Sequence, residues 1–209
     1  MIRVELISMP FAAIERPSFG LTQIQGYLKK RFADNVEVNI RYINHEFASY
    51  IGLDKYYSVL DGTKIQTGLE MDSTTTGLKE WLFRHIVFSE YEDNQKEFFK
   101  YLSFVTKEAK EYAAYIRNNI EDWLIEIIQK LTLNKADVVA FTCMFDQRMP
   151  SFALAKIIKQ INPNIKTIMG GPACEYPAAR IIAKNIPFVD YVISGYGLIA
   201  FAELMDYLS

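Results

Sequence analysis

The sequence predicts an α/β protein, a doubly wound parallel sheet of five strands in the order 2-1-3-4-5 joined by right-handed crossovers. Three observations carry that expectation. Short apolar runs rich in β-branched residues alternate with segments of helical spacing at both ends of the 209-residue chain. The run at 137–145, DVVAFTCMF, is apolar almost without a break, as a strand covered on both faces must be. Pro10, the Gly170-Gly171-Pro172 turn and Gly195 close three of the runs with the residues that punctuate strand ends.

In order, the first strand is expected over 2–9, ended by Pro10. Ser18 is placed to cap a helix whose apolar positions are Phe19, Leu21, Ile24, Tyr27, Leu28 and Phe32, and a second strand follows over 36–43. The third strand is 137–145. Pro150 and Ser151 open a helix with Phe152, Leu154, Ala155, Ile158 and Ile161 on one side, ended at Asn162-Pro163-Asn164. A fourth strand at 165–169, a short helix at 178–184, a fifth strand at 190–194 and a last helix at 198–208 complete the alternation.

Residues 45–136 form a mainly helical insertion between strands 2 and 3, leaving 1–209 as a single domain. Its first part, to Gly77, holds Gly52, Asp61-Gly62, Gly68 and the run 73–76, and reads as short helices and loops. From Trp81 to Leu133 it has almost no Gly or Pro and many spaced aromatics, which predicts one long helix or two packed ones covering the sheet.

Half of the residues are apolar, enough for a sizeable core. The 23 basic and 25 acidic residues nearly cancel, and no Lys/Arg block forms a phosphate track, which argues against nucleic acid. No apolar run approaches the roughly 20 residues of a bilayer span, and the first residues enter a strand without a signal pattern, so a cytoplasmic protein without a membrane partner is expected. The two cysteines, Cys143 and Cys174, exclude a disulfide framework and an iron–sulfur cluster built from this chain alone.

In a doubly wound sheet the ligand crevice lies outside the carboxyl ends of the strands, so the chemistry is sought in the loops there. The first, 8–20, includes Pro10, Phe11 and Ser18, is stiffened by two prolines and contains no histidine. It makes a rigid apolar rim suited to a large flat ligand and poor for acid–base work. In the third loop, Thr142 and Gln147 read as hydrogen-bond donors to a polar ligand edge. Cys143 reads as a small buried hydrophobe, because neither His45 nor His85 stands in a pattern that places a base beside it. Gly170-Gly171-Pro172 permits positive φ and close approach to backbone. Gly195-Tyr196-Gly197 is neither a dinucleotide fingerprint nor a phosphate loop.

Together LISMPFAAIERPSFGL (6–21), EWLFRHIVF (80–88), 136–175 and FVDYVISGYG (188–197) resemble the N-terminal region of cobalamin-dependent radical S-adenosylmethionine enzymes, most of all those that mature ribosomally synthesised peptides. The resemblance covers nearly the whole chain. It implies a flavodoxin-like domain that binds cobalamin, the corrin lying across the strand ends and its nucleotide tail beside the sheet. Thr142 and Met144 then stand where such domains carry a Ser-x-Leu pair, and Gly170-Gly171 matches the pair lining the tail's slot. The cofactor-binding set completes with Pro10, Phe11, Ser18, Cys143, Gln147 and Ser151, and with Pro172, Gly195, Tyr196 and Gly197; no side chain is expected to be catalytic or to ligate a metal. The Asp-x-His-x-x-Gly motif that supplies a lower axial ligand in many cobalamin domains is missing, so no histidine ligand to cobalt is expected. Relatives read Gly-Glu-Gly-Glu where this chain has Gly195-Tyr196-Gly197-Leu198; Tyr196 is expected to stack or fill space there.

A radical S-adenosylmethionine domain, with its three clustered cysteines, is absent from these 209 residues. The resemblance therefore implies the cobalamin module of a peptide methyltransferase whose cluster lies elsewhere, partnered by a radical catalytic chain. The alternative is a stand-alone accessory protein that kept the fold, lost cobalamin and binds a precursor peptide.

Overall fold

Glu5, in the middle of the first strand, is fully buried yet charged, and the elements around it show how the sheet is assembled. The computed structural model describes residues 1–61, 76–103 and 105–208, with backbone alone at 58–61. Its strands are β1 (Ile2–Ser8), β2 (Val36–Tyr42), β3 (Val138–Thr142), β4 (Lys166–Gly170) and β5 (Tyr191–Val192). They are all parallel, in the order β2-β1-β3-β4-β5, and the chain has the expected flavodoxin-like winding.

The helices are α1 (Phe19–Phe32), α2 (Ile43–Ile51), α3 (Leu53–Asp61), α4 (Leu78–Val87), α5 (Gln95–Tyr101), α6 (Lys107–Lys130), α7 (Arg148–Ile161), α8 (Ala178–Asn185) and α9 (Gly197–Leu208). Ser18 caps α1 as expected, its Oγ accepting from the Leu21 N–H at 3.4 Å. Alternation along the strands divides the core in two. Leu6, Ala140 and Ile168 face Leu21, Leu28, Phe201 and Met205 of α1 and α9. Ile7, Val139, Phe141 and Met169 face the other layer, built from the insertion together with α7 and α8.

The insertion does cover the sheet, but its second part is three helices rather than one or two. Polar residues replace Gly and Pro as the breaks: α4 ends before Ser89, Asn94 precedes α5, and Thr106 caps α6 by accepting from the Ala109 N–H at 3.3 Å. Arg117 of α6 holds the pieces together from a buried position, donating to Asp93 at 2.8 Å and to the Trp81 carbonyl at 3.2 Å. The predicted turns at Gly62, Gly68 and 73–75 lie outside the described residues. The third strand stops at Thr142 because the chain turns into a short 3-10 segment at Phe145–Gln147, and the fifth keeps only two residues. Among the described residues, no helix is long and apolar enough to cross a membrane.

Glu5 accepts from Arg3 Nε and Arg41 Nε, each at 2.7 Å, and from Asn39 at 3.2 Å; Arg3 also donates to Thr132 Oγ1 at 2.7 Å beyond the end of α6. Burial raises the Glu5 carboxyl, but the bonds from Arg41 and Arg3 outweigh it and hold the group below its ordinary range. Its contribution to stability is thus complete at neutral pH and is lost as pH falls through that lowered value. Removing the charge strands two guanidinium groups, so Glu5→Gln should destabilise the protein by about 3 kcal/mol at pH 7 in urea titration. A loss below about 1 kcal/mol would contradict the network's role.

Candidate functional site

The carboxyl ends of β1, β3 and β4 bring three small residues into one cross-strand row, Ser8 opposite Thr142 and Thr142 opposite Gly170. One pair further down, Leu6, Ala140 and Ile168 form a second row on the same face. These two rows floor a cleft of about 650 Å³ that runs from the strand ends down between α1 and α9. Leu21 and Ile24 of α1 wall one side and Phe201 the other, with Ile193 beyond β4. At the mouth it is bordered by Phe11, Ala12, Pro17, Met144, Phe145 and Pro172. The site is therefore an apolar rim at the strand ends continuous with a slot beside the sheet.

The first rim is held rigid by its own carbonyls. Gln147 donates to Met9 at 2.6 Å, Tyr56 to Ala12 at 2.6 Å and Asn44 to Ala13 at 3.2 Å, and the His45 ring meets the Ile14 carbonyl at 3.1 Å. Tyr42 Oη accepts from the Ser18 N–H at 3.1 Å. Four of these five partners come from β2, α2 and α3, which thus shape the mouth.

Of the fourteen residues singled out in the sequence, Phe11, Ser18, Thr142, Met144, Gln147, Gly170, Gly171, Pro172, Gly195 and Gly197 line the cleft. Pro10, Cys143, Ser151 and Tyr196 do not. Gln147 is buried and its amide is used to tie two loops, donating to Met9 and accepting from the Met144 N–H at 3.1 Å. Cys143 and Ser151 lie behind the lining, both fully buried, with Ser151 Oγ donating to the Gln147 carbonyl at 2.6 Å. Burial, and next the neighbouring Cys174 thiol, raises the Cys143 thiol well above its ordinary value, which leaves it a poor nucleophile. Neither histidine is beside it: His45 stacks on Tyr42, and His85, pushed down to about 4 by burial and Arg117, faces the insertion. Tyr196 is fully exposed, standing outside the lip that Gly195 and Gly197 form.

The two glycines of the turn have different reasons to be glycine. Gly171 has φ of +101°, and a Cβ there would lie 2.7 Å from the Cys143 carbonyl oxygen and 2.9 Å from its nitrogen. The close backbone approach is thus one that the protein makes with itself. At Gly170 a Cβ would meet only Ile193, at 3.7 Å, and at Gly20, also on the lining, nothing within 4 Å. Internal packing asks for neither, and at both places a side chain would enter the cleft.

Sequence reading missed Ser8 and the deeper row of the floor, Leu6, Ala140 and Ile168, the walls at Leu21, Ile24 and Phe201, and two charged residues, Lys79 and Asp146. Lys79, on α4, is buried, and its Nζ lies 2.8 Å from Asp146 Oδ2 and 5.7 Å from the centre of the Phe11 ring. The adjacent Glu80 hydrogen-bonds Asp146; burial, then the negative charge of Asp146, raises its carboxyl above the ordinary range. A small-residue row was visible in principle once the register was known, whereas nothing in the spacing marks Lys79.

An α/β domain whose apolar mouth continues into a cleft beside its sheet, at the carboxyl ends of the strands, has the shape of a ligand-binding domain. The model of the B12 binding domain family matches residues 99–205, just over half of the chain, and the chain belongs to that family. The matched stretch supplies β3, β4, β5 and most of α9; the β1–α1–β2 unit, which provides the other half of the cleft, precedes it. An uncharacterized methyltransferase of Pyrococcus horikoshii is 34% identical over 73 residues, 35% of this chain and 16% of that protein. The chain thus spans a small part of that relative's length. No solved structure matches.

The glycines yield a stability contrast. Gly171→Ala should cost about 1–3 kcal/mol through strain and the clash with Cys143, whereas Gly170→Val should leave the melting temperature within about 3 °C. Equal losses in thermal melts of the two variants would contradict the assignment.

Proposed function

We propose that this chain is the cobalamin-holding module of a radical S-adenosylmethionine enzyme that methylates an unactivated carbon in a ribosomally synthesised peptide. The observation that carries the binding half of this reading is the joined mouth and slot, because a corrinoid is both a wide disc and a chain ending in a nucleotide. The residues present fit that group: an apolar rim at Phe11, Met144, Phe145 and Pro172 for the macrocycle, and a floor of Ser8, Thr142 and Gly170 that leaves room for the tail. Gly20 and Gly197 keep the walls clear of side chains where α1 and α9 begin. When bound, cobalamin supplies a methyl carrier.

The protein's own part is to bind and orient that carrier and to exclude water from its covered face. No histidine stands in the first rim to coordinate cobalt, which is in keeping with the radical enzymes this sequence resembles. With two cysteines in the chain, the cluster belongs to another polypeptide or segment in this reading. The methyltransferase relative supports the reaction class. A second reading has one observation in its favour: Phe19, Phe145, Tyr176 and Tyr196 are exposed near the mouth, a collar that suits a peptide held by an accessory protein.

Reconstitution with hydroxocobalamin, gel filtration and a visible spectrum separate the two. A coloured protein peak, near one corrinoid per chain and without the spectrum of histidine coordination, is expected. Gly170→Val, with its fold retained, should weaken binding at least tenfold by filling the slot. A wild-type protein that leaves the column colourless would overturn the first reading and leave the second.

A further inference from the structure

The cleft lining is apolar apart from a few polar groups, and its charged residues are Arg16, Lys79 and Asp146. Arg16 is exposed at the edge. The other two are paired, the Lys79 side chain 3% and the Asp146 side chain 15% exposed. A pair so far removed from water gains little net stability, since desolvation cancels most of the attraction, and apolar residues of the same volume commonly serve a fold as well. Its place in a ligand cleft calls for a ligand reason.

The chemistry of the pair is specific. An ammonium offers only donors and an ionised carboxylate only acceptors. Set 2.8 Å apart on one rim, they present a donor beside an acceptor. A primary carboxamide, with its carbonyl oxygen beside an NH₂ group, is the complement of that arrangement. A free carboxylate is not, because it offers no donor to Asp146 and brings a second negative charge against it. Gln147, whose amide already serves two loops, does not compete for this role.

On the cobalamin reading, we infer that Lys79 and Asp146 form a carboxamide-reading contact that selects corrinoids with an intact peripheral amide over those in which that amide is hydrolysed to an acid. Lys79 lies on α4 of the insertion, outside the stretch that matches the B12 binding domain family. The insertion thereby contributes recognition as well as cover. The pair acts as a specificity determinant, and no step of a reaction passes through it.

The test compares hydroxocobalamin with its three singly hydrolysed b-, d- and e-monocarboxylic acids in equilibrium titrations of the wild-type chain, read by the visible spectrum. At least one of the three should bind tenfold or more weakly than the parent. In Asp146→Asn the ammonium keeps its charge while the repelling carboxylate is gone, so that ratio should fall below about threefold; Lys79→Met should weaken the parent at least fivefold. Glu80→Gln, which keeps the pair, should retain a preference for the amide. Wild-type protein that binds the parent and all three acids within twofold overturns this inference and leaves the cobalamin reading standing. Failure to bind any corrinoid overturns both. Because the wild-type comparison decides by itself, a variant that does not fold costs the test nothing.

Discussion

The site depends on one topological constraint. β1 and β3 lie side by side, yet the connection after β1 leads to α1 on one face of the sheet, and the connection after β3 leads to α7 on the other. Two neighbouring strands that send their chains in opposite directions leave a gap at their carboxyl ends that neither loop can fill. Everything else at the site dresses that gap. The loop at 9–18 forms one lip and Met144 to Gln147 the other, and Gln147 spans them with a single amide.

Residue size turns the gap into a slot. Had the row at the strand ends carried Val or Leu instead of Ser8, Thr142 and Gly170, side chains would have closed the space between α1 and α9, as Leu28, Val38 and Met205 do nearer the amino ends. The same economy explains Gly171 differently: it lets the β4 turn fold against Cys143, so that Ala173 N–H donates to the Cys143 carbonyl at 3.0 Å. One glycine holds a loop in place while its neighbour leaves a volume open. α2 and α3 then support the first lip from outside, with Asn44, His45 and Tyr56 on its carbonyls, and Glu5 with Arg3 and Arg41 ties β1 to β2.

Much of the fold was legible because its signals are local. The apolar run at 137–145, the Ser18 cap and the Gly-Gly-Pro turn each state their element within a few residues, and strand order follows from handedness. The lining of the mouth was legible for the same reason, since loops after strands are where this topology binds ligands. The slot was not: that Leu6, Ala140 and Ile168 share a floor is a fact of register among three strands, the first of which lies more than a hundred residues before the other two. The insertion misled in its breaks, because polar residues around Asn94 and Thr106 end and restart helices without Gly or Pro. Lys79 was illegible, since its meaning comes from Asp146, 67 residues away.

In the proposed function, one cavity receives a disc at its mouth and a tail in its slot. Competition between cobalamin and cobinamide, which keeps the corrin and lacks the nucleotide, tests this most directly. If the slot between α1 and α9 holds the tail, cobinamide binds at least tenfold more weakly than cobalamin, and that gap shrinks in Gly170→Val. Equal affinities in the wild-type protein would contradict the account, and would place the whole of the recognition at the rim.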